Sequence, residues 1–280
     1  MVVKKKLNII IFGASGSIGS FLVNRYFQNR CNLLLYFKNP KQILKFKKKY
    51  RSNKLQKIIY EKLDINNEND IKKKIFKNRA FFQNSDIIIN TIGEQGDIKN
   101  FFDLDLKKFY KTFNINFLSQ ISLLRKIYTI IRKNKNTLLV LFSGGGVTSE
   151  RKNFSPYILS KICLVKLVEI LKLELRNKGL RINAISPGVI DSKMSKSILK
   201  KSKKIVDVQE IRKIKKEITN SKKSLVRIYK LIDFLISQKG KKISGKIISS
   251  RWDKFEKWNK KDINKIIGSD IFTLRRNQKL

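Results

Sequence analysis

The chain has 280 residues, 41% of them hydrophobic, and sets 64 Lys and Arg against 21 Asp and Glu, a formal charge of +43. It has no His and two cysteines, Cys31 and Cys163, which excludes His-based acid–base catalysis, Ser-His-Asp triads, disulfide frameworks and the usual zinc sites. The positive excess invites an acidic partner, yet Lys, Ile and Asn are enriched throughout, as an A/T-biased coding sequence would produce, and no zinc-finger or RNA-recognition signature is present.

No specific nucleic-acid partner and no metal site are therefore expected. No stretch reaches the ~18–20 apolar residues of a membrane span. The apolar run at 7–12 is too short for the core of a signal peptide and meets a glycine-rich turn at once. A cytoplasmic setting with both thiols buried and reduced is the expectation.

Residues 7–12 (LNIIIF) read as a buried strand ending at Gly13. Gly13-Ala-Ser-Gly16-Ser-Ile-Gly19 follows, and then a helical pattern. In the order strand, glycine turn, helix, the glycines let the backbone approach a pyrophosphate, and the helix N-terminus offers free N–H groups and a positive dipole end. Residues 32–37 form the second strand. At its end a dinucleotide fold selects its cofactor: an acid accepts from the ribose 2′-OH, whereas a cation suits a 2′-phosphate. This chain has no acid there and has Lys38, so NADP is preferred over NAD.

A basic helix with Ile43, Leu44 and Phe46 on its apolar side occupies 40–51, and 55–63 holds a third strand. Asp64 follows it, placed either to accept from an adenine amino group or to cap a helix beginning near Asn69. Residues 85–90 are a fourth strand ending in Asn90-Thr-Ile-Gly93. A long helix over 106–133 carries Asn116, and a mid-helix Asn is unfavourable enough to need a reason such as a kink, a bound water or a catalytic role. Residues 137–142 are the fifth strand, ending at Ser143.

The helix over 155–176 carries Tyr157 and Lys161, one turn apart on one face. A Lys⁺ beside a Tyr lowers the phenol pKa, and such a tyrosine exchanges a proton with a carbonyl or alcohol near neutral pH. Ser143 is placed to hydrogen-bond the same oxygen. The sixth strand, 180–185, runs into Ser186-Pro187-Gly188. Residues 194–224 read as a mobile helix pair or lid, 225–236 as an amphipathic helix, 242–249 as a last strand, and 251–280 as an appended helix and frayed tail. The alternation of strands and helices predicts an α/β fold: a Rossmann-type doubly wound parallel sheet of about seven strands with helices on both faces. One catalytic domain, 1–250, with an extension at 251–280 is expected.

These residues resemble the short-chain dehydrogenase/reductase family over about 7–249. The outer glycines of that family's loop stand as Gly13 and Gly19; Phe12 replaces its Thr, and Gly16-Ser17 alters its middle. Leu63-Asp64-Ile65 is similar to the adenine-contacting segment, and Asn90-Thr-Ile-Gly93 to the family's Asn-Asn-Ala-Gly. Ser143, Tyr157 and Lys161 match its catalytic residues, and Asn116 its helical Asn, which holds a water in the proton relay. Arg181 to Gly188 looks like the segment whose Pro-Gly backs the nicotinamide; the following Thr is absent, with Ser192 as a substitute hydroxyl. The Ser-Gly-Gly-Gly run, Ser244-Gly-Lys-Ile-Ile-Ser and Trp252-Asp253 are similar to a subgroup met in sugar and polysaccharide metabolism.

The resemblance implies that Gly13, Ser15, Ser17, Ile18, Gly19, Lys38, Asp64, Ile65, Asn90, Gly93, Tyr157, Lys161, Pro187, Gly188 and Ile190 hold NADP or NAD, and that Asn116, Ser143, Tyr157 and Lys161 carry the chemistry. The implied activity interconverts a carbonyl and a secondary alcohol, with a small substrate that the positive field favours as an anion. The substrate walls are expected at 94–102, 148–154 and 194–224. A homodimer or homotetramer through the helices at 106–133 and 155–176 is implied. The alternatives are an NAD-retaining sugar-nucleotide epimerase or dehydratase, and a non-catalytic NADP-sensing or polyanion-binding protein of the same fold.

Overall fold

In the computed structural model, which describes residues 6–132, 136–175, 178–201 and 205–276, five-to-seven-residue runs of Ile and Leu build most of a seven-stranded sheet. The strands are β1 (Asn8–Phe12), β2 (Asn32–Phe37), β3 (Ile58–Lys62), β4 (Ile87–Asn90), β5 (Thr137–Phe142), β6 (Leu180–Ser186) and β7 (Ile247–Ser249). Their order is β3-β2-β1-β4-β5-β6-β7, and every neighbouring pair is parallel.

Parallel strands need crossovers, and these cover both faces of the sheet. The helices are α1 (Ser17–Gln28), α2 (Pro40–Lys49), α3 (Glu68–Lys77), α4 (Arg79–Gln83), α5 (Leu106–Phe113), α6 (Ser119–Ile130), α7 (Ser155–Glu174), α8 (Lys193–Leu199), α9 (Val208–Thr219), α10 (Ser221–Ile236) and α11 (Lys260–Gly268). The period-two geometry of a strand sends alternate residues to opposite faces. Ile9, Ile11, Leu33, Leu35, Ile87 and Ile89 pack under α1, α10 and α11; Ile10, Phe12, Leu34, Tyr36 and Ile88 pack under α3, α6 and α7. Cys31 is buried and Cys163 only half-buried.

The chain runs outward from β1 to β3, then crosses back to β4 on the other side of β1. Ligands of such sheets bind above the strand ends at this reversal. In register, Phe12 lies opposite Asn90, Asn90 opposite Leu141, and Phe142 opposite Ile185. Gly13, Gly93, Ser143 and Pro187 therefore leave the sheet along one rim.

Several expected boundaries shift. The long helix is interrupted by a π-helical turn, Asn114–Leu118, that joins α5 to α6, and its expected end at Lys133 lies outside the described residues, as does the end of the next helix at Arg176. The last strand shrinks from 242–249 to three residues. Asp64 does not cap α3. Its carboxylate accepts from the backbone N–H of Asn66, and the Asn67 side chain takes the capping bond from Asp70. The expected lid contains α8, α9 and the start of α10, with 202–204 outside the described residues. It packs through its own apolar cluster, Ile198, Val206 and Ile214 against Ile98 and Phe154. Beyond β7, Phe272 accepts a hydrogen bond from the Ile247 amide at 2.9 Å, and residues 277–280 lie outside the described residues. Among the described residues no helix is long and apolar enough to cross a membrane.

Candidate active site

The nucleotide side is built from backbone. Gly13 has φ +74°, and its turn carries the chain from β1 into α1. A Cβ on Gly19 would fall inside the van der Waals envelope of the Gly13 carbonyl oxygen and 3.0 Å from the Ala14 Cα, so only glycine lets α1 start this close to the strand. Gly16 is the N-cap of α1, no side chain caps that end, and no acid stands in its first turn. The first N–H groups of a twelve-residue helix are thus left for a ligand with negative charge. Ser15, Ser17 and Ile18 lie half-buried on this turn, and Lys38 stands exposed beyond β2. Asp64 is exposed, while Ile65 is buried in the core.

Asn90 is buried, and both ends of its amide are engaged: Nδ2 donates to Gln120 Oε1, and Oδ1 accepts from the Ile92 amide at 3.0 Å. It ties the end of β4 to α6. The Thr91 hydroxyl sits on the Phe12 and Gly13 carbonyls at 2.9 and 3.0 Å. On the other flank Gly188 has φ +70° and Pro187 is half-buried. Ile190 is buried, with its carbonyl bonded to Ser195 Oγ at 2.7 Å. Ser192 does not present its hydroxyl to this flank; it forms a capping box with Ser195 at the start of α8.

The catalytic candidates gather on three consecutive residues. Lys161 Nζ, 4% exposed as a residue, donates to the Phe142 carbonyl at 3.0 Å. Ser143 follows, with a buried Oγ that finds no hydrogen-bond partner among the described residues. Gly144 comes next, and a Cβ there would land inside the Tyr157 phenol ring. Lys161 Nζ lies 5.9 Å from that ring's centroid. Asn116 and Gly93 close the other side: a methyl group on Gly93 would sit 3.2 Å from Asn116 Oδ1 and 3.3 Å from Lys161 Nζ.

Asn116 sits in the π-helical turn, the kind of interruption often found at functional sites. Its Oδ1 accepts from the Glu94 amide at 2.8 Å; its Nδ2 donates to the Glu94 carbonyl at 2.9 Å and to Ser160 Oγ at 3.1 Å. The side chain is therefore a strut between the loop after β4 and α7.

The electrostatics differ from the sequence expectation. Burial pushes the Tyr157 phenol up to about 12, and the opposing pull comes from the Arg151 guanidinium. Burial also brings the Lys161 ammonium down to about 8. In the chain without ligand, Tyr157 is a protonated phenol across the neutral range, and Lys161 is a cation close to losing its proton.

Sequence reasoning missed Ser160 and Gln120, and it included Arg151 and Glu94 only as positions of the expected walls 148–154 and 94–102, without a role for either. The unpartnered polar atoms would have been a signal only in three dimensions. The buried side-chain atoms without partners among the described residues are Gln95 Nε2, Asp97 Oδ2, Ser143 Oγ, Arg151 Nε, Arg25 Nε and Tyr26 Oη. Four of these six belong to the segments that follow β4 and β5. Buried polar groups are almost always paired with protein or ordered water, so this concentration makes the two segments candidates for contact with a ligand.

Comparison with known proteins agrees with this geometry. The family model described as "short chain dehydrogenase" matches residues 7–203. A 3-oxoacyl-[acyl-carrier-protein] reductase of Buchnera aphidicola is 28% identical over 193 residues, 67% of this chain and 73% of that one. A xylitol dehydrogenase solved with NAD⁺ superposes with a TM-score of 0.75 at 19% identity, over 88% of this chain and 98% of that one. The protein ElxO, solved with NADP, superposes with a TM-score of 0.71 at 18% identity, over 87% and 96%. The chain belongs to the short-chain dehydrogenase/reductase family and is an NAD(P)-dependent oxidoreductase.

Proposed function

We propose that this enzyme reduces a carbonyl to a secondary alcohol at the Ser143–Tyr157–Lys161 cluster, with NADP(H) as the preferred cofactor. The observation that carries this reading is the arrangement on 142–144: an ammonium on the Phe142 carbonyl, an unpaired buried hydroxyl on Ser143, and a phenol resting on Gly144. The bound cofactor supplies or accepts the hydride.

The chain's own groups handle the oxygen. Ser143 Oγ, with no partner among the described residues, donates to the carbonyl oxygen and orients it. Tyr157 gives that oxygen its proton. A phenol held protonated through neutral pH suits this direction better than proton abstraction from an alcohol. Lys161 places positive charge behind the phenol, and Asn116 fixes the loop after β4 against α7. Gly13, Ser15, Ser17, Ile18 and Gly19 hold the pyrophosphate. Lys38 faces the adenosine ribose, Asp64 and Ile65 the adenine, and Asn90, Gly93, Pro187, Gly188 and Ile190 the nicotinamide half.

The unit is one catalytic domain over 1–250, working in the cytoplasm as a homo-oligomer. Exposed Leu106 and Tyr110 on α5, Leu118 in the π turn, and Leu159, Ile170 and Leu173 on α7 support pairing through these helices. Fluorescence titration with NADPH and NADH, followed by a carbonyl panel read by NADPH consumption, tests the assignment. Saturable NADPH binding and turnover of a ketone are the expected results; binding of neither nucleotide would refute it.

A further inference from the structure

Arg151 is a cation of the chain that folding draws onto the catalytic side of the sheet. It folds back over the glycine run after β5: a Cβ on Gly145 would lie 3.3 Å from its Nη1, and one on Gly146 would lie 3.3 Å from its Cδ. Its guanidinium stacks 3.8 Å from the Phe154 ring centroid. Its side chain is 15% exposed. Its charge pulls the Tyr157 phenol pKa down, against the effect of burial.

Its hydrogen bonding is incomplete. Nη2 donates to Glu210 Oε1 at 2.7 Å, while Nε is buried with no partner among the described residues. Nε–H and one Nη–H form an edge of the planar fork that matches the two oxygens of a single carboxylate. Glu210 uses half of that edge. It also comes from another part of the chain, on the lid helix α9, so the pair joins the wall at 148–154 to the lid. A groove of about 630 Å³ opens there, lined by Glu150, Arg151, Phe154, Val206 and Glu210 among others. Lys152 and Lys213 on its wall are matched by Glu150 and Asp207. An anion bound in this groove therefore needs a specific group, because the overall +43 does not provide one locally.

We propose that Arg151 is the specificity residue for a substrate bearing a carboxylate near its carbonyl, and that Glu210 stands in for that carboxylate until substrate arrives. The substrate's two oxygens take Nε–H and Nη2–H, Glu210 is displaced, and the lid is released from the pocket wall as the site fills. This rests on the reading that carbonyl reduction occurs at Ser143 and Tyr157.

The test uses the NADPH-loaded enzyme with two pairs of ketones: acetoacetate and methyl acetoacetate, levulinate and methyl levulinate. Wild type is expected to favour the acid in at least one pair. Arg151→Met lowers kcat/KM for that acid by about 10- to 100-fold more than for its ester, the worth of a lost charged hydrogen bond, and a wild-type circular dichroism spectrum with retained NADPH binding shows that the variant is folded. Glu210→Gln raises the acid-to-ester ratio. Lys213→Met leaves it unchanged.

An ester preference in wild type, an acid preference that survives Arg151→Met, or an equal loss in Lys213→Met overturns the proposal. If NADPH binds and no ketone is reduced, the reading of the reaction fails for this substrate class. Binding then decides the anchor: acetoacetate raising the Tm of wild type but not of Arg151→Met supports it, and equal shifts or none overturn it.

Discussion

The loops after β1 and after β5 leave the same rim of the sheet and are built by opposite means. After β1 the chain makes its site from backbone: a left-handed Gly13, a Gly19 pressed against a carbonyl oxygen, and an uncapped helix end. The side chains around it are spent on one another, as Asn90 is on Gln120 and Thr91 on Phe12. After β5 the site is made from side chains, and Ser143 and Arg151 are left short of partners. The first region would read the same with any dinucleotide cofactor. The second leaves buried polar atoms open to a ligand's own groups.

The largest expected effect falls on the second region. Tyr157→Phe removes the proton donor and lowers kcat by about 10²–10⁴-fold while NADPH affinity is retained; a variant with near-native turnover would remove Tyr157 from the mechanism. Lys161→Met tests the same cluster through stability. The Lys161 pKa falls from 10.5 to about 8 on folding, so between those values the unfolded chain binds more protons and stability rises with pH. The full span amounts to roughly 3 kcal/mol at 1.36 kcal/mol per unit. Denaturant titrations of the ligand-free wild type and Met variant at pH 7.5 and 9.5 should show the stability difference between them moving in favour of wild type as pH rises.

Gly144→Ala probes how tightly the second region is assembled. The added methyl group displaces the phenol ring, and a shift of that kind costs about 10²-fold in turnover. An alanine variant with full activity would mean that the ring has room to move. The smallest effect falls beside the first region, at the end of β2. Lys38→Asp should shift preference from NADPH toward NADH by about tenfold, in line with one charge-assisted hydrogen bond, with little change in kcat. Comparison of the two Kd values by fluorescence settles it.

The two regions were also unequally legible. The glycine turn could be read because its chemistry lies in backbone geometry, which Gly13 and Gly19 announce locally. The doubly wound sheet was legible for a similar reason, since each strand is a short apolar run closed by a turn residue. The strut role of Asn116 was not: its partners Glu94 and Ser160 are 22 and 44 positions away. The spacing of Tyr157 and Lys161 predicted proximity correctly and the direction of the phenol's pKa wrongly, because burial outweighs charge here. Arg151 looked like one cation among many until the fold stacked it on Phe154 and paired it with α9.

The contact between Phe272 and β7 has a consequence for the open edge of the sheet. An outermost strand normally offers its outward amides to any other extended chain, which makes it a template for aggregation. Here the outward amides of Ile247 and Ser249 are taken by the Phe272 carbonyl and the Asp253 carboxylate, at 2.9 and 2.6 Å. Through these two amides β7 offers no donor to an added strand.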